Sequence, residues 1–557
     1  MRRLIQFFSL LLFSLLFMWA AFQIPDWLPA DLYLRLDPLV ALSTLLASRE
    51  WIPRILWSAL ILGATGIIGR FFCAYVCPMG AVIDFLDPLW GHRRNRRGIA
   101  DPRPWRKVKY FALMFFTATS ILGVTSAYLM DPIPLLTRVS TFFFYPLAIT
   151  LLNLGLDLFR PLFRALGWIS LSHHQSAQPF FYMSLLTFII FAGIVIASRI
   201  TPRFWCRYLC PLGAMLSFVS PLGRWNRHVS KNCNQCGRCA KECPMGAIGE
   251  DPSRTQLAEC IQCRTCQKVC PAGAIHFGRI PSPPGPALVG GEYSTFDLSR
   301  REWLFAFGGG LLTGFLIDRT PYTPLRGKYP LIRPPGAIPE TEFLRACIRC
   351  GECMKSCLTN TLQPCFWEAG FSGLWTPRMD LRLAPCEQNC NACGKVCPTQ
   401  AIRSLPLEEK NHAKVGTALI WKERCLVWAQ DKICLVCDEI CPYNAIVFRT
   451  FEGYRRPVVV ASRCNGCGYC EQKCPVQGES AIVVVPNGEI RLKDGSYLQE
   501  AKKLQLQFRP DPGDDQYVLK ESGLEVKAEA PAPPKGLAPL SPIPAEKGKS
   551  QLPKGFR

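Results

Sequence analysis

The sequence predicts a multi-domain chain: an all-α membrane helical domain followed by three small α+β modules, each built on two groups of cysteines. Three observations carry this. Four long apolar stretches lie in the first 200 residues, one twelve-residue motif with two cysteines occurs twice among them, and 24 of the 29 cysteines fall into six groups beyond residue 230. A length of 557 residues suits three or four domains. With 49% apolar residues the chain is too greasy for disorder and not greasy enough to be membrane throughout. A collagen-like fibre and an ordinary cytosolic enzyme fit no better.

Residues 1–227 form the membrane domain. Apolar stretches near Leu4 to Phe22, Arg54 to Phe72, Tyr110 to Leu129 and Phe180 to Ser198 approach the roughly 20 residues a spanning helix needs. The first follows Arg2 and Arg3 like a signal peptide, but no small-residue cleavage site follows, so it reads as a retained helix. The net charge of +22 sits largely beside these stretches: Arg93, Arg94, Arg96, Arg97, Arg103, Arg106, Lys107 and Lys109 in one run, Arg199, Arg203, Arg207, Arg224, Arg227 and Lys231 in another. Such flanking charge marks the cytoplasmic side of a membrane. No nucleic-acid-binding motif accompanies it, so nucleic acid is not an expected partner.

The repeat is Arg70-Phe-Phe-Cys-Ala-Tyr-Val-Cys-Pro-Met-Gly-Ala81, which recurs 133 positions later as Arg203-Phe-Trp-Cys-Arg-Tyr-Leu-Cys-Pro-Leu-Gly-Ala214. Both copies follow an apolar span and adjoin a basic run, so both should face the cytoplasm, with an even number of crossings between them. Tyr110 to Leu129 and Phe180 to Ser198 supply two. Val139 to Phe159, interrupted by Pro146, Asn153 and Asp157, is then an interfacial or re-entrant piece on the far side. Cys73, Cys77, Cys206 and Cys210 are enough thiols for a further metal or cluster site, or for two dithiols. Cysteines spaced i, i+4 also occur simply as small buried apolar residues.

Residues 228–280 carry Cys233, Cys236, Cys239, Cys243 and Cys260, Cys263, Cys266, Cys270, both in the pattern C-x2-C-x2-C-x3-C-P. In two-cluster modules the fourth cysteine of each run serves the other [4Fe-4S] cluster. Cys270 therefore joins Cys233, Cys236 and Cys239, while Cys243 joins Cys260, Cys263 and Cys266. Residues 336–408 pair Cys347, Cys350, Cys353 and Cys397, and Cys386, Cys390, Cys393 and Cys357. Two departures occur there: Leu358 replaces the usual proline, and Cys386 to Cys390 has one extra residue. Residues 409–490 pair Cys425, Cys434, Cys437 and Cys474, and Cys464, Cys467, Cys470 and Cys441, with a longer gap after Cys425. These make six clusters, leaving Cys365 as a buried thiol. A disulfide framework has no reason to repeat this spacing, and zinc ribbons lack the third close cysteine and the proline. Ala-Ile pairs after the Cys-Pro steps suit the helix-to-strand exit of a small ferredoxin-like fold.

The linker, 281–335, holds Ser299-Arg-Arg-Glu-Trp-Leu304 and an apolar run from Trp303 to Ile317. It reads as a twin-arginine-like export segment or a fifth transmembrane helix. Either way the chain crosses again, placing the second and third modules outside the cytoplasm; as an interfacial helix only, it would leave them inside. Gly308-Gly-Gly310 lies inside that run and does not indicate a dinucleotide fold. Residues 491–557 read as a largely disordered tail.

Taken together, these motifs resemble a fusion of two accessory ferredoxins of the periplasmic nitrate reductase system, the NapH and NapG types, related also to the methylamine-utilisation ferredoxins. Residues 1 to about 280 resemble the first through the paired Cys-Pro motifs. Residues 299 to about 490 resemble the second through the twin-arginine segment, the stretch Leu362 to Pro377 and four cysteine groups. The resemblance implies a multi-pass protein of the bacterial inner membrane that takes electrons from the quinol pool. It would pass them to a redox partner such as a cytochrome or reductase, as a quinol dehydrogenase component or electron-transfer subunit. Proton-handling candidates are Asp84, Asp87, Asp131, Asp157, Arg138, His92, His173 and His174. The alternative function is a maturation factor that reduces a partner's metal site or disulfide. A third is a membrane anchor for a separate reductase.

Overall fold

The structure, a computed structural model, describes residues 2–20, 29–90, 103–249, 251–279, 299–319 and 331–508. Its helical domain is one plan used twice. The first half contains α1 (Arg2–Trp19), α2 (Leu32–Arg35), α3 (Pro38–Ser48), α4 (Ser58–Ile68), α5 (Phe71–Tyr75) and α6 (Pro78–Leu86). The second contains α7 (Val108–Ile121), α8 (Pro132–Val139), α9 (Tyr145–Ala165), α10 (Ile169–His173), α11 (Ser184–Ala197) and α12 (Pro211–Val219). In each half an Asp-Pro pair opens one helix (Asp37-Pro38 for α3, Asp131-Pro132 for α8) and a Cys-Pro pair opens another (Cys77-Pro78 for α6, Cys210-Pro211 for α12). Proline at the first helical position gives up a hydrogen bond that would not form anyway, and its fixed φ already suits the helix.

The first and second modules bind opposite ends of these helices. At the start of α1, Arg2 donates to Thr265 (3.3 Å); near its end, Lys355 lies 3.9 Å from the Phe17 ring. The 18 residues between make a rod of about 27 Å. α7 repeats the arrangement: Lys109 pairs with Glu259 (2.5 Å) at its start, and Thr125, just past its end, donates to the Leu344 carbonyl (3.0 Å). α15 (Arg300–Arg319) lies alongside α7 and runs the same way, with Glu302 on Lys107 (3.3 Å) and Gly314 against Thr119 and Leu122. Gly310 and Gly314, one turn apart, form the contact face. A Cβ on Gly310 would stand 2.6 Å from the Phe115 carbonyl oxygen, so only glycine permits this approach. The glycine-rich run of the linker is thus a helix-packing face.

Among the described residues two helices are long and apolar enough to cross a membrane, Arg2–Trp19 and the continuous helix Pro132–Ala165. The expected spans at Tyr110 and Phe180 contain shorter helices, of 14 residues each. Val139 to Phe159 is helical throughout, as part of the longer of the two membrane-length helices. A single wide π-turn at Ser140–Phe144 precedes Pro146 and absorbs the hydrogen bond that proline cannot donate. α9 makes an excursion: α10 folds back on it, Asn153 and Ser176 bond each other, and Phe180 returns to the second module, where its carbonyl accepts from Asn360 (2.8 Å). Leu151, Leu154, Leu158, Leu185, Ile189, Leu60 and Phe305 turn outward and are exposed.

Each module is closed by its outermost segments. β1 (Trp225–Val229) pairs antiparallel with β2 (Ile275–Arg279) in the first; a bridge between Ala337 and Ile402 closes the second. The second also holds β3 (Leu362–Pro364) against β4 (Pro377–Met379). In the third, β5 (Thr417–Ile420) pairs with β8 (Ile482–Val485) around the hairpin of β6 (Ile446–Phe451) and β7 (Tyr454–Val459). Ile275, Ile446 and Ile482 of the Ala-Ile pairs open strands, and all of them are buried. Residues 491–508, assigned to the tail, instead fold onto the third module: Ser496 caps the helix Tyr497–Lys503, and Tyr497 is fully buried against Leu405, Ala413 and Ile490. Residues 509–557, His92 and the run Arg93 to Arg97 lie outside the described residues.

Candidate metal centres

The cysteine loops share one backbone course. In Cys233-x-x-Cys236-x-x-Cys239, Gln235 and Gly237 take left-handed φ angles (53° and 67°). The same two positions do so in the loops from Cys260 (Gln262, Arg264), Cys347 (Arg349, Gly351) and Cys464 (Gly466, Gly468). Left-handed residues on both sides of the middle cysteine curl the chain so that three thiols face one point. The loops from Cys386 and Cys425 lack this course, in line with their irregular spacing. After the fourth cysteine a second left-handed residue closes a turn: Gly246, Gly273, Asn360, Gln400 and Asn444 each stand three places beyond it and donate to its carbonyl. Cys357-Leu358-Thr359-Asn360 makes this turn as well as the Cys-Pro runs do, so leucine in place of proline leaves the geometry intact.

Five cavities are lined by thiols in the crossed pairing. They hold Cys260, Cys263, Cys266 with Cys243; Cys347, Cys350, Cys353 with Cys397; Cys386, Cys390, Cys393 with Cys357; Cys425, Cys434, Cys437 with Cys474; and Cys464, Cys467, Cys470 with Cys441. In the first module Cys239 and Cys270 share one apolar cluster, and Cys236 is exposed. Amides turn toward several sulfurs, as Ala247 does to Cys243 (3.3 Å) and Ala445 to Cys441 (3.3 Å). Among the described residues no three His, Cys, Asp or Glu side chains are close enough for a single metal ion. Zinc at about 2.3 Å from each sulfur would need a tighter set, so these wider sets fit a multi-iron centre.

Comparisons with known proteins match this geometry. The 4Fe-4S binding domain family matches residues 51–98 and again 183–230, the two halves that contain the Cys-Pro motifs. Two 4Fe-4S dicluster domain families match residues 232–275 and 432–477. The methylamine utilization ferredoxin-type protein MauM of Methylorubrum extorquens is 36% identical over 202 residues, 34% of this chain and 89% of that protein. MauM of Paracoccus denitrificans is 35% identical over 190 residues (32% and 83%), and the ferredoxin-type protein NapG of Escherichia coli 37% over 167 (28% and 70%). The chain belongs to the MauM and NapG ferredoxin-type proteins. It is an iron-sulfur electron-transfer protein with several 4Fe-4S domains. No solved structure matches it.

In this MauM/NapG-type ferredoxin the thiol sets follow one another closely. Burial and the surrounding thiolates push the Cys353 thiol well up, and Cys393 of the next set is among those neighbours. The Cys386 amide donates to the Cys467 carbonyl (2.8 Å), joining the second module to the third. Burial, then Cys467, Cys464, Cys441 and finally Cys437 of the last set, push Cys470 up. Thiols raised in this way stay protonated at neutral pH unless a metal takes the proton's place.

Cys73, Cys77, Cys206 and Cys210 gather where the two halves meet, the last three buried. For Cys210, burial and then Cys206, Cys73 and Cys77 push the thiol well up, so the four share one environment. Each half steadies the other's motif. The Arg203 guanidinium donates to the Cys73 carbonyl (2.9 Å), whose oxygen would stand 2.9 Å from a Cβ on Gly80, while the Arg70 guanidinium would stand 2.9 Å from a Cβ on Gly213. Arg203 pairs with Asp84 (2.7 Å) and Arg70 with Glu259 (3.6 Å).

Much of the basic run at 199–231 is therefore internal. Arg203 and Arg207 are buried; Arg207 donates to the carbonyls of Pro244 (2.8 Å) and Cys243 (3.1 Å), and Arg227 to Pro252 (2.8 Å). These three charges face thiols and carbonyls, while Arg199, Arg224 and Lys231 of the same run are exposed. Of the other candidates, Asp84 is ion-paired, Asp157 bonds Arg160 (2.5 Å) at the surface, and His173 and His174 are exposed on the outer excursion. Asp131 and Arg138 are fully buried. Cys365 is buried beside Arg333 (3.6 Å), apart from the thiol sets.

Proposed function

We propose that this protein is a membrane-bound electron conduit that oxidises quinol and hands electrons singly to a redox protein, with a [4Fe-4S] cluster in each of the six thiol sets. The carrying observation is the unbroken order of the four sets of the second and third modules. Cys350 lies in the core of the helical domain, Cys353 neighbours Cys393, Cys386 is bonded to Cys467, and Cys470 neighbours Cys437. A [4Fe-4S] cluster supplies one-electron transfer without proton transfer. The chain's contribution is to hold the thiols, bury them, and set cations such as Arg349 (2% exposed) beside them. The last set lies by Ile433, which is 95% exposed, a suitable contact for a cytochrome or reductase.

The chain then joins a NapH-type and a NapG-type part. The outward-facing leucines and phenylalanines of α1, α4, α11 and α15 support seating in the bacterial inner membrane. The first module would face the cytoplasm and the second and third the periplasm, since they bind opposite ends of α1 and α7. The Cys73, Cys77, Cys206 and Cys210 quartet is read as a further iron-bearing site, supported by the 4Fe-4S family match to both segments. Anaerobic titration of the purified protein with a quinol analogue tests the central reading. Bleaching of the iron-sulfur absorbance by quinol is expected. Failure in membranes as well as in detergent, with dithionite still effective, would overturn it.

A further inference from the structure

Beneath the second module lies a buried polar group that the order of thiols does not use. Asp37 and Asp131 occupy the same place in the two halves of the helical domain, each just before the proline that opens a helix. Their carboxyl groups face each other, and both residues are completely buried. Asp37 Oδ1 accepts from the amides of Leu39 (2.9 Å) and Val40 (3.4 Å). Its Oδ2 and the carboxylate oxygens of Asp131 meet no side-chain donor, only each other and the Ile133 amide beside Asp131.

The groups around the pair leave it short of positive charge. Arg138, the nearest cation, is committed to carbonyls, Nε on Arg349 (2.9 Å) and Nη2 on Tyr128 (2.9 Å). Tyr128 bonds Thr44 through its hydroxyl (2.5 Å), one residue from each half. Arg349, between Cys347 and Cys350, is 2% exposed, and its Nε and Nη1 have no partner, although Nη2 donates to Ser372 (2.9 Å). An unpartnered guanidinium and a carboxyl pair with no side-chain donor, buried on either side of Tyr128, are costly unless a proton or a ligand completes them. Two facing carboxylates can satisfy each other only when one carries a proton.

We propose that Asp37 and Asp131 form a proton-holding pair that takes up one proton for each electron entering the Cys347, Cys350, Cys353 and Cys397 set. The inference rests on the quinol reading for the source of that proton. Quinol gives up two electrons and two protons to become quinone. In each of two successive turns one O–H bond breaks, its proton passes to the Asp37 and Asp131 pair, and one electron leaves, to be taken by the group that the Cys347, Cys350, Cys353 and Cys397 thiols would hold. The pair releases the first proton before the second arrives, and the first electron has by then moved on toward Cys393. The matching positions at the other end of the two halves are the four thiols, so each half supplies one acid and two thiols to shared sites.

The test uses the full-length protein in lipid nanodiscs, with Asp131→Asn, Asp37→Asn and the conservative Asp131→Glu. Dithionite reduction in weakly buffered medium is followed with a pH indicator, and infrared difference spectra are recorded over the protonated carboxyl stretch. The wild type should take up protons on reduction and show a carboxyl band. Both should be lost in the Asn variants at unchanged iron content and recovered in Asp131→Glu. Reduction by a quinol analogue should slow about 100-fold in Asp131→Asn. Equal proton uptake and an unchanged band in folded, iron-replete Asn variants would overturn the pair. If dithionite results hold but quinol reduces not even the wild type, the quinol reading fails and the pair stands with another donor.

Discussion

The backbone amide of Cys386 donates to the carbonyl of Cys467 at 2.8 Å, so a thiol ligand of the second module and one of the third are held by a single hydrogen bond. Cys386 lies in the group with a single extra residue before its second cysteine. That residue accompanies a course different from the regular loops, with Arg382 reaching the carbonyls of Glu471 (2.9 Å) and Cys474 (3.1 Å) nearby.

Cys386→Ser should therefore interrupt the conduit at that joint. Iron content should fall by about four per chain. Electron paramagnetic resonance after quinol reduction should still find signal from the Cys347 set, while the two sets of the third module stay oxidised. Full reduction of the third module in that variant would mean that electrons enter it by another route.

Much of this arrangement is legible in the sequence. The crossed pairing of cysteines follows from their spacing, because a loop of three close thiols cannot supply a fourth at the opposite corner. What spacing does not disclose is where charge ends up. Arg203 and Arg207 read as membrane-flanking cations, yet both are buried, and a basic residue looks the same in sequence whether it meets lipid headgroups or a thiolate. Asp37 also escapes notice, although Leu36-Asp-Pro-Leu39 and Met130-Asp-Pro-Ile133 are a short repeat parallel to the Cys-Pro one. Four residues are too few to stand out until the two halves are superposed as one plan.

The exchange of arginines between the halves has a steric signature. A Cβ at Gly80 would lie 2.9 Å from the Cys73 carbonyl oxygen, and one at Gly213 2.9 Å from the Arg70 guanidinium. Gly80→Ala and Gly213→Ala should each destabilise the helical domain by about 1–3 kcal/mol, with Gly80→Ala the worse because backbone yields less than a side chain. Gly63→Ala, which meets nothing within 4 Å, should be neutral. Thermal unfolding in detergent, monitored by tryptophan fluorescence, separates these cases.

Packing of α15 on α7 is equally specific. Gly310→Leu should drive α15 away from the Phe115 carbonyl and expose the linker to protease in detergent. Gly309→Leu, with open space around it, should digest at the wild-type rate. Equal digestion of the two variants would mean that α15 is held by its ends, through Glu302 and the following chain, and not by its glycine face.

If α1 and α7 cross the bilayer, the ends they present to the two modules lie in different compartments. Alkaline phosphatase, which is active only in the periplasm, should be active when fused after residue 508 and inactive when fused after residue 279. Activity at both positions would place both modules on one side and remove α15 as a crossing.

The quartet of Cys73, Cys77, Cys206 and Cys210 can be an iron site or two dithiols, and the two differ in what one substitution removes. A cluster needs all four sulfurs, so Cys73→Ser or Cys206→Ser should lower iron by about four per chain while leaving the six sets of the modules intact. A pair of dithiols would lose no iron; the substitution would instead leave the partner cysteine without its disulfide, so that one more thiol titrates than in the wild type under denaturing, iron-free conditions in the oxidised sample. The Arg203 contact to the Cys73 carbonyl survives the change to serine, so loss of iron would reflect the missing sulfur and not a collapsed interface. Iron and thiol counts on the same preparations decide between them.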